Sequence, residues 1–147
     1  MILTDLLKIQ LKTRQYDGKT SVFDPVRRQW ISLTPEEHVR QLLLSYLTNS
    51  MQYPLAMIAV EKSIKVGPMS KRFDIVVYSR DHKPWLLVEC KAPEINISEK
   101  TLYQLLNYQR SMQCSYWLLT NGLQAFCADA SDPSAIKWMQ SLPVYDL

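Results

Sequence analysis

The chain has 147 residues, 47% hydrophobic and 21% charged, with 17 Lys and Arg against 14 Asp and Glu and a formal net charge of +3. That length predicts one domain able to bury about 70% of its unfolded surface without help from disulfides or a structural metal. Cys90, Cys114 and Cys127 are odd in number, with no Cys-x-x-Cys spacing and no nearby His pair, which excludes a disulfide framework and a zinc site.

At the N-terminus the only apolar run contains Asp5 and ends without a small-residue cleavage site, and nowhere do about 18 apolar residues follow one another. The expectation is a soluble, cytoplasmic protein with no membrane contact. All of the charge excess lies in residues 1–34, where Lys8, Lys12, Arg14, Lys19, Arg27 and Arg28 outnumber Asp5, Asp17 and Asp24. Gly18-Lys19-Thr20 copies the tail of a phosphate-binding loop, but Thr13 stands where that loop needs glycine and a strand rather than a helix follows, so no nucleotide cofactor is expected.

Residues 22–31 read as two short strands around a turn at Asp24-Pro25. Thr34 then caps a helix whose first position is Pro35, and Glu37, three residues after Thr34, completes a capping box; Val39, Leu42, Leu43, Tyr46 and Leu47 carry its apolar spacing to about Asn49. A strand over 56–66 ends at Gly67-Pro68. Two further strands, Arg72 to Tyr78 and Trp85 to Lys91, are continuously apolar and therefore covered on both faces. Ser98 caps a helix from Glu99 to Met112, strands over 115–120 and 123–128 hinge at Asn121-Gly122, and a short helix over Ser134 to Leu142 closes the chain. The expected organisation is a single α/β domain: an N-terminal hairpin extension (1–33), an αβββαβ core (34–128) and a C-terminal helix or tail (129–147).

The residues that could do chemistry sit on the central pair of strands. Strand alternation puts Glu89 and Lys91 on one face and Cys90 on the other. Asp74 lies among Phe73, Ile75, Val76 and Val77, where a charge needs a partner. A hairpin symmetric about Asp81-His82 sets Asp74 opposite Glu89, with Cβ atoms about 5 Å apart. Two carboxylates so placed call for a proton or a cation between them, and an oxygen-only donor set suits Mg²⁺ or Mn²⁺. Lys91 beside them could orient or help deprotonate a metal-bound water, or stabilise charge on a phosphate, which is the equipment of phosphodiester hydrolysis. The same residues also fit a cross-strand ion pair of Asp74 or Glu89 with Lys91 or Arg72.

The run RFDIVVY followed by LLVECKAP resembles the PD-(D/E)xK nuclease superfamily, and TPEEHVRQ, QLLNY and LLTNG extend the likeness to the N-terminal nuclease domain of type I restriction enzyme R subunits. The resemblance implies a restriction-endonuclease-like fold and a metal-dependent DNA endonuclease leaving 5′-phosphate and 3′-hydroxyl ends. It implies Asp74, Glu89 and Lys91 as the catalytic set, and Asp74, Glu89 and the Cys90 carbonyl as metal ligands. Glu37, with Glu36 as competitor, fits the helix carboxylate that completes such sites through water, although Glu37 is also the capping-box residue. Gln104 and Tyr108 match a Gln-x-x-x-Tyr element and share a helix face that could point at the metal site and DNA phosphate; Gln109 and Arg110 are lesser candidates. Arg27, Arg28 and Arg72 are candidate DNA contacts. The R subunit's motor motifs have no counterpart in this sequence, so action alone, as a homodimer or with separately encoded subunits is expected. A non-catalytic nucleic-acid-binding or protein-interaction module on the same fold, and a dimeric junction or repair nuclease, are the alternative readings.

Overall fold

A computed structural model describes Leu6 and residues 8–145. Its centre is a six-stranded mixed sheet built from β4 (Ile58–Val66), β5 (Met69–Tyr78), β6 (Pro84–Cys90), β7 (Tyr116–Thr120), β8 (Ala125–Asp129) and β9 (Lys137–Met139), side by side in that order. Only β6 and β7 run parallel, because the connection between them crosses over through helix; the others are joined antiparallel. Ahead of this sheet, β1 (Thr13–Tyr16), β2 (Lys19–Asp24) and β3 (Gln29–Ser32) form a separate antiparallel meander.

Each face of the large sheet is covered, as the apolar β5 and β6 require. Helix α1 (Pro35–Ser45) lays Val39, Leu42 and Leu43 over Ile75, Val77, Leu86 and Val88. Helix α2 (Glu99–Leu106), followed by the short α3 (Gln109–Met112), lays Leu102, Leu105 and Leu106 over Phe73, Val76, Leu87 and Trp117. Both main helices start where their caps predict: Thr34 Oγ1 accepts from the Glu37 N–H at 3.1 Å and Ser98 Oγ from the Thr101 N–H at 3.3 Å. The reciprocal half of the Thr34 capping box is not used, because the Glu37 carboxylate is engaged elsewhere.

Four expectations need correction. The first helix leaves α geometry at Ser45 and finishes as a π-helical turn, Tyr46–Ser50, in which Thr48 Oγ1 donates to the Leu44 and Ser45 carbonyls. The second breaks between Leu106 and Gln109, where the Gln109 side chain turns inward to accept from the Cys114 N–H and the Trp117 indole and to donate to the Ala130 carbonyl. Residues 134–142 are not helical. Ser134 closes a turn on Asp132, and β9 pairs with the open edge of β8 while Ile136 and Trp138 pack on the α2 side; the tertiary offer of a strand edge outweighs a weak local helix preference. The N-terminal extension also holds one strand more than expected: Asp17 and Gly18, with φ of 52° and 74°, make the two-residue turn that joins β1 to β2.

One irregularity positions the site. On β4, Ile58 and Val60 face the α1 side whereas Ile64 and Val66 face the α2 side, and on β5 Ile75 and Val77 face α1 whereas Phe73 faces α2. Side chains two apart should share a face, so the ribbon turns over between them. Glu61, at φ 53°, and Asp74 sit at that crossover. The register runs through this point unshifted, Val60 opposite Ile75 and Lys62 opposite Phe73, so both strands turn together and Asp74 is aimed at α1.

Candidate active site

The β5–β6 pairing places Ile75 against Val88, Val76 against Leu87 and Val77 against Leu86, the register expected for a hairpin symmetric about Asp81-His82, with a bulge at Tyr78. Asp74 and Glu89 are the next residues along this ladder. Asp74 Oδ2 accepts from the Cys90 N–H at 2.8 Å, which ties it directly to the Glu-Cys-Lys segment.

The two carboxylates lean to opposite sides of the sheet. Glu89 and Lys91 face α2, where with Lys71, Thr101, Gln104 and Tyr108 they line a cleft of about 210 Å³. Lys71 Nζ stands 3.5 Å from Glu89 Oε1 and 5.9 Å from the Tyr108 ring centroid, so a second lysine joins Lys91 beside this carboxylate. Burial, then the charge of Asp74, push the Glu89 carboxyl above its ordinary pKa, and Lys71 and Lys91 offset only part of that rise. Asp74 Oδ1 instead accepts from the guanidinium of Arg40 on α1 at 2.8 Å.

Arg40 is the hub of a buried network. Its guanidinium also meets Glu37 at 2.9 Å, Glu61 at 3.4 Å and Glu36 at 3.9 Å, while its Nε has no hydrogen-bond partner. Glu37 further accepts from Arg27 at 2.9 Å and from Gln41 at 3.1 Å. Arg27 and Gln41 both reach Asp24, fully buried at the end of β2. Burial works to raise the Asp24 pKa, but the hydrogen bonds from Arg27 and Gln41 and the Arg27 charge leave it below its ordinary value. A chain of charges thus runs from the β2–β3 turn through α1 to Asp74.

The remaining candidates fall out clearly. Glu89, Lys91, Gln104 and Tyr108 meet in one cleft, with Asp74 joined to it from behind through Cys90. The Glu37 oxygens are occupied by Arg27, Arg40 and Gln41, and Glu36 is exposed, 3.9 Å from Arg40. Gln109 is a buried structural link, and Arg110 is exposed on α3. Arg27 points into the network and is committed to three carboxylates; Arg72 is exposed but paired with Glu61 at 2.8 Å, and Arg28 is exposed. The cross-strand ion pairs anticipated for Asp74 or Glu89 with Lys91 or Arg72 are not the ones found: Glu89 pairs across the strands with Lys71, Asp74 pairs with Arg40 of α1, and Arg72 pairs with Glu61. Neither Lys71 nor Arg40 carries a local signature: each is an ordinary basic residue until the fold brings a carboxylate to it.

Among the described residues, no group of three or more His, Cys, Asp and Glu is placed to hold a metal ion. Mg²⁺ does not require one, since it binds through one or two carboxylates and keeps several waters. Asp74 and Glu89 provide hard oxygen donors, each ionised oxygen has more than one lone pair to offer, and the repulsion that raises Glu89 is what a cation would relieve. Cys90 offers no competing soft ligand: burial, then the charge of Asp74, push its thiol well above its ordinary pKa. The donor chemistry therefore suits a hard divalent cation, but the face-to-face placement expected of the two carboxylates is not the observed one: Asp74 is turned to Arg40 and Glu89 to Lys71, and a shared ion requires Asp74 to exchange its Arg40 contact for the ion. A larger groove of about 500 Å³ between the meander and α1 has no carboxylate in its lining and does not meet these residues.

No described helix is long and apolar enough to cross a membrane. No curated protein matches the sequence significantly. Among solved structures, the fold is similar to that of a protein described as a candidate nuclease belonging to DUF820 from Anabaena variabilis ATCC 29413, with a TM-score of 0.51 and 14% identity over 98% of this chain and 89% of that one. The restriction-endonuclease-like architecture anticipated from the sequence is thus the observed one. The profile of the type I restriction enzyme R protein N terminus (HSDR_N) matches residues 35–143, from the first residue of α1 to beyond β9 and across every candidate catalytic position. The chain belongs to the family of type I restriction enzyme R protein N termini.

Proposed function

We propose that this chain is a metal-dependent endonuclease that hydrolyses DNA phosphodiester bonds. The observation that carries the proposal is the cleft itself: Glu89 and Lys91 on one face of β6, opposite Gln104 and Tyr108 of the α2 segment, with Asp74 fixed to the adjacent Cys90 N–H. Membership of the restriction-enzyme family supports DNA as the substrate.

Asp74, Glu89 and the Cys90 carbonyl are the groups that would hold Mg²⁺ or Mn²⁺. Such an ion, when bound, lowers the pKa of a coordinated water and polarises the scissile phosphate. Lys91 places a positive charge where the phosphate accumulates negative charge during attack, a contribution worth most in a partly desolvated cleft. Lys71 adds a second cation there and lies against Glu89. Gln104 and Tyr108, one helical turn apart, supply donors that orient the phosphate. Arg40 sets the position of Asp74, and Glu37 with Arg27 sets that of Arg40. Glu37 thereby acts on the site through side chains.

The test is cleavage of plasmid and linear duplex DNA with Mg²⁺ or Mn²⁺ by the purified protein and by Lys91→Ala. The variant should lose at least about a hundredfold in rate with an unchanged thermal transition. Cleavage unaffected by Lys91→Ala overturns the assignment, and DNA binding that survives Asp74→Asn with no cleavage by the wild-type protein in either metal identifies a binding module.

A further inference from the structure

The N-terminal meander carries a chemical asymmetry that the cleft does not use. Its register puts Arg14 beside Ser21 and Tyr16 beside Lys19, and Phe23 beside both Trp30 and, through the Phe23 N–H to the Lys12 carbonyl, Lys12. Lys12, Arg14, Tyr16, Lys19, Phe23 and Trp30 therefore share one face. Only serines join them, and no carboxylate stands on that face. Asp24 lies on the other face and is buried, and Asp17 is in the turn.

The cations are braced. The Arg14 guanidinium lies 4.2 Å from the Trp30 ring centroid, Lys12 Nζ is 5.5 Å from that of Phe23, and Phe23 and Trp30 pack edge to face at 5.5 Å. Stacking of this kind fixes the direction of a guanidinium while leaving its N–H edge free. None of Lys12, Arg14 and Lys19 has an ion-pair partner among the described residues, in contrast to Arg27, Arg40, Lys71 and Arg72. All four residues of β1 are exposed, Tyr16 to 80%, and the tight turn lies at the exposed end, while Val22 and Asp24 of β2 are buried and anchor the base of the ribbon. The carboxylate-free surface continues from Lys12 and Phe23 into the groove beside α1, whose lining includes Gln41, Ser45 and Asn49.

We infer that the β1–β2 ribbon is a docking element for duplex DNA, with Lys12, Arg14 and Lys19 contacting phosphates. A two-stranded ribbon is of the size a major groove admits, and an acid-free row of braced cations complements a polyanion. The ribbon is joined to the cleft by the Asp24–Arg27–Glu37–Arg40–Asp74 chain, which holds DNA-docking and catalytic elements in one frame. This inference deepens the nuclease reading by assigning where its substrate is gripped outside the cleft.

The experiment is anisotropy of a short fluorescent duplex in EDTA, where no cleavage occurs, across a series of salt concentrations. The double variant Arg14→Ala, Lys19→Ala should weaken binding roughly ten- to a hundredfold at moderate salt and reduce the log–log salt slope by about 2, with unchanged circular dichroism. Lys62→Ala, Lys65→Ala on exposed positions of β4 serves as the charge-matched control and should leave affinity within about twofold. Unchanged binding by the ribbon variant, an equal loss in the β4 control, or binding restricted to single strands or RNA overturns the inference. The two readings separate cleanly: ribbon-dependent duplex binding by a protein that never cleaves refutes the nuclease and keeps the ribbon, whereas cleavage with ribbon-independent binding does the reverse.

Discussion

Replacing Arg40 with Met removes a guanidinium that is almost fully buried and that contacts four carboxylates at 2.8 to 3.9 Å. Those four do not suffer equally. Glu36 and Glu61 can turn to water, and Glu37 keeps Arg27 and Gln41. Asp74 is left with the Cys90 N–H alone, a carboxylate 9% exposed and with no cation touching it. Breaking a buried pair from one side in this way costs about 3–5 kcal/mol. For a domain of this size that corresponds to a fall in Tm of roughly 6–20 °C. The informative companion is Arg40→Met with Asp74→Asn, which leaves no unpaired charge at Asp74 and should recover more than half of the loss. Thermal unfolding by circular dichroism, in EDTA so that metal binding plays no part, measures both. A single-variant loss below about 1 kcal/mol, the range of an exposed ion pair, or a double variant no better than the single one, refutes the claim that Arg40 is the electrostatic anchor of Asp74.

Two other outcomes follow from the same electrostatics. Because burial and Asp74 raise the Glu89 pKa above its unfolded value, the ionised form is disfavoured in the fold; that group's contribution is present below the ordinary carboxylate pKa and is lost as pH rises through the raised one. Glu89→Gln should therefore melt a few degrees higher than wild type at pH 8 in EDTA, with the advantage gone at pH 4; an advantage that grows in acid contradicts the assignment. The cysteines are buried, with burial as the main cause pushing the Cys114 and Cys127 thiols up to about 12 and Cys90 well above its usual value. Thiolate is the reactive form, so a thiol reagent at pH 8 should label no cysteine in the native protein and all three after denaturation; rapid native labelling would refute the packing described around them.

Much of the cleft was legible because its determinants are local or periodic. Alternation assigned Glu89 and Lys91 to one face, and the run between Asp74 and Glu89 was short enough for hairpin symmetry alone to yield the Ile75–Val88 register. Thr34 and Ser98 announced their helices through side-chain chemistry that acts within three residues. What the sequence hid depends on partners distant along the chain. Arg40 and Asp74 are 34 positions apart, and a basic residue after Glu36 and Glu37 reads equally well as a solvated helix face. Lys71 acquires its role only once β5 and β6 pair. The turnover at Glu61 and Asp74 has no glycine to mark it, and it decides which side of the sheet each carboxylate serves. Strand β9 exists because β8 has a free edge, which no reading of residues 134–142 alone reveals. Strand β1 is exposed throughout and lacks an apolar alternation to mark it, and the glycine of its Asp17-Gly18 turn also belongs to the phosphate-loop-like Gly18-Lys19-Thr20.

The account turns on Asp74 and Glu89 acting together on one cation, and a crystal soaked in Mn²⁺ addresses that directly through anomalous scattering. The predicted result is a single peak within coordinating distance of an oxygen of each carboxylate and of the Cys90 carbonyl, absent from crystals of Glu89→Gln. Asp74 held by Arg40 as before, Glu89 still on Lys71 and no peak between them at saturating Mn²⁺ would contradict the metal-dependent nuclease.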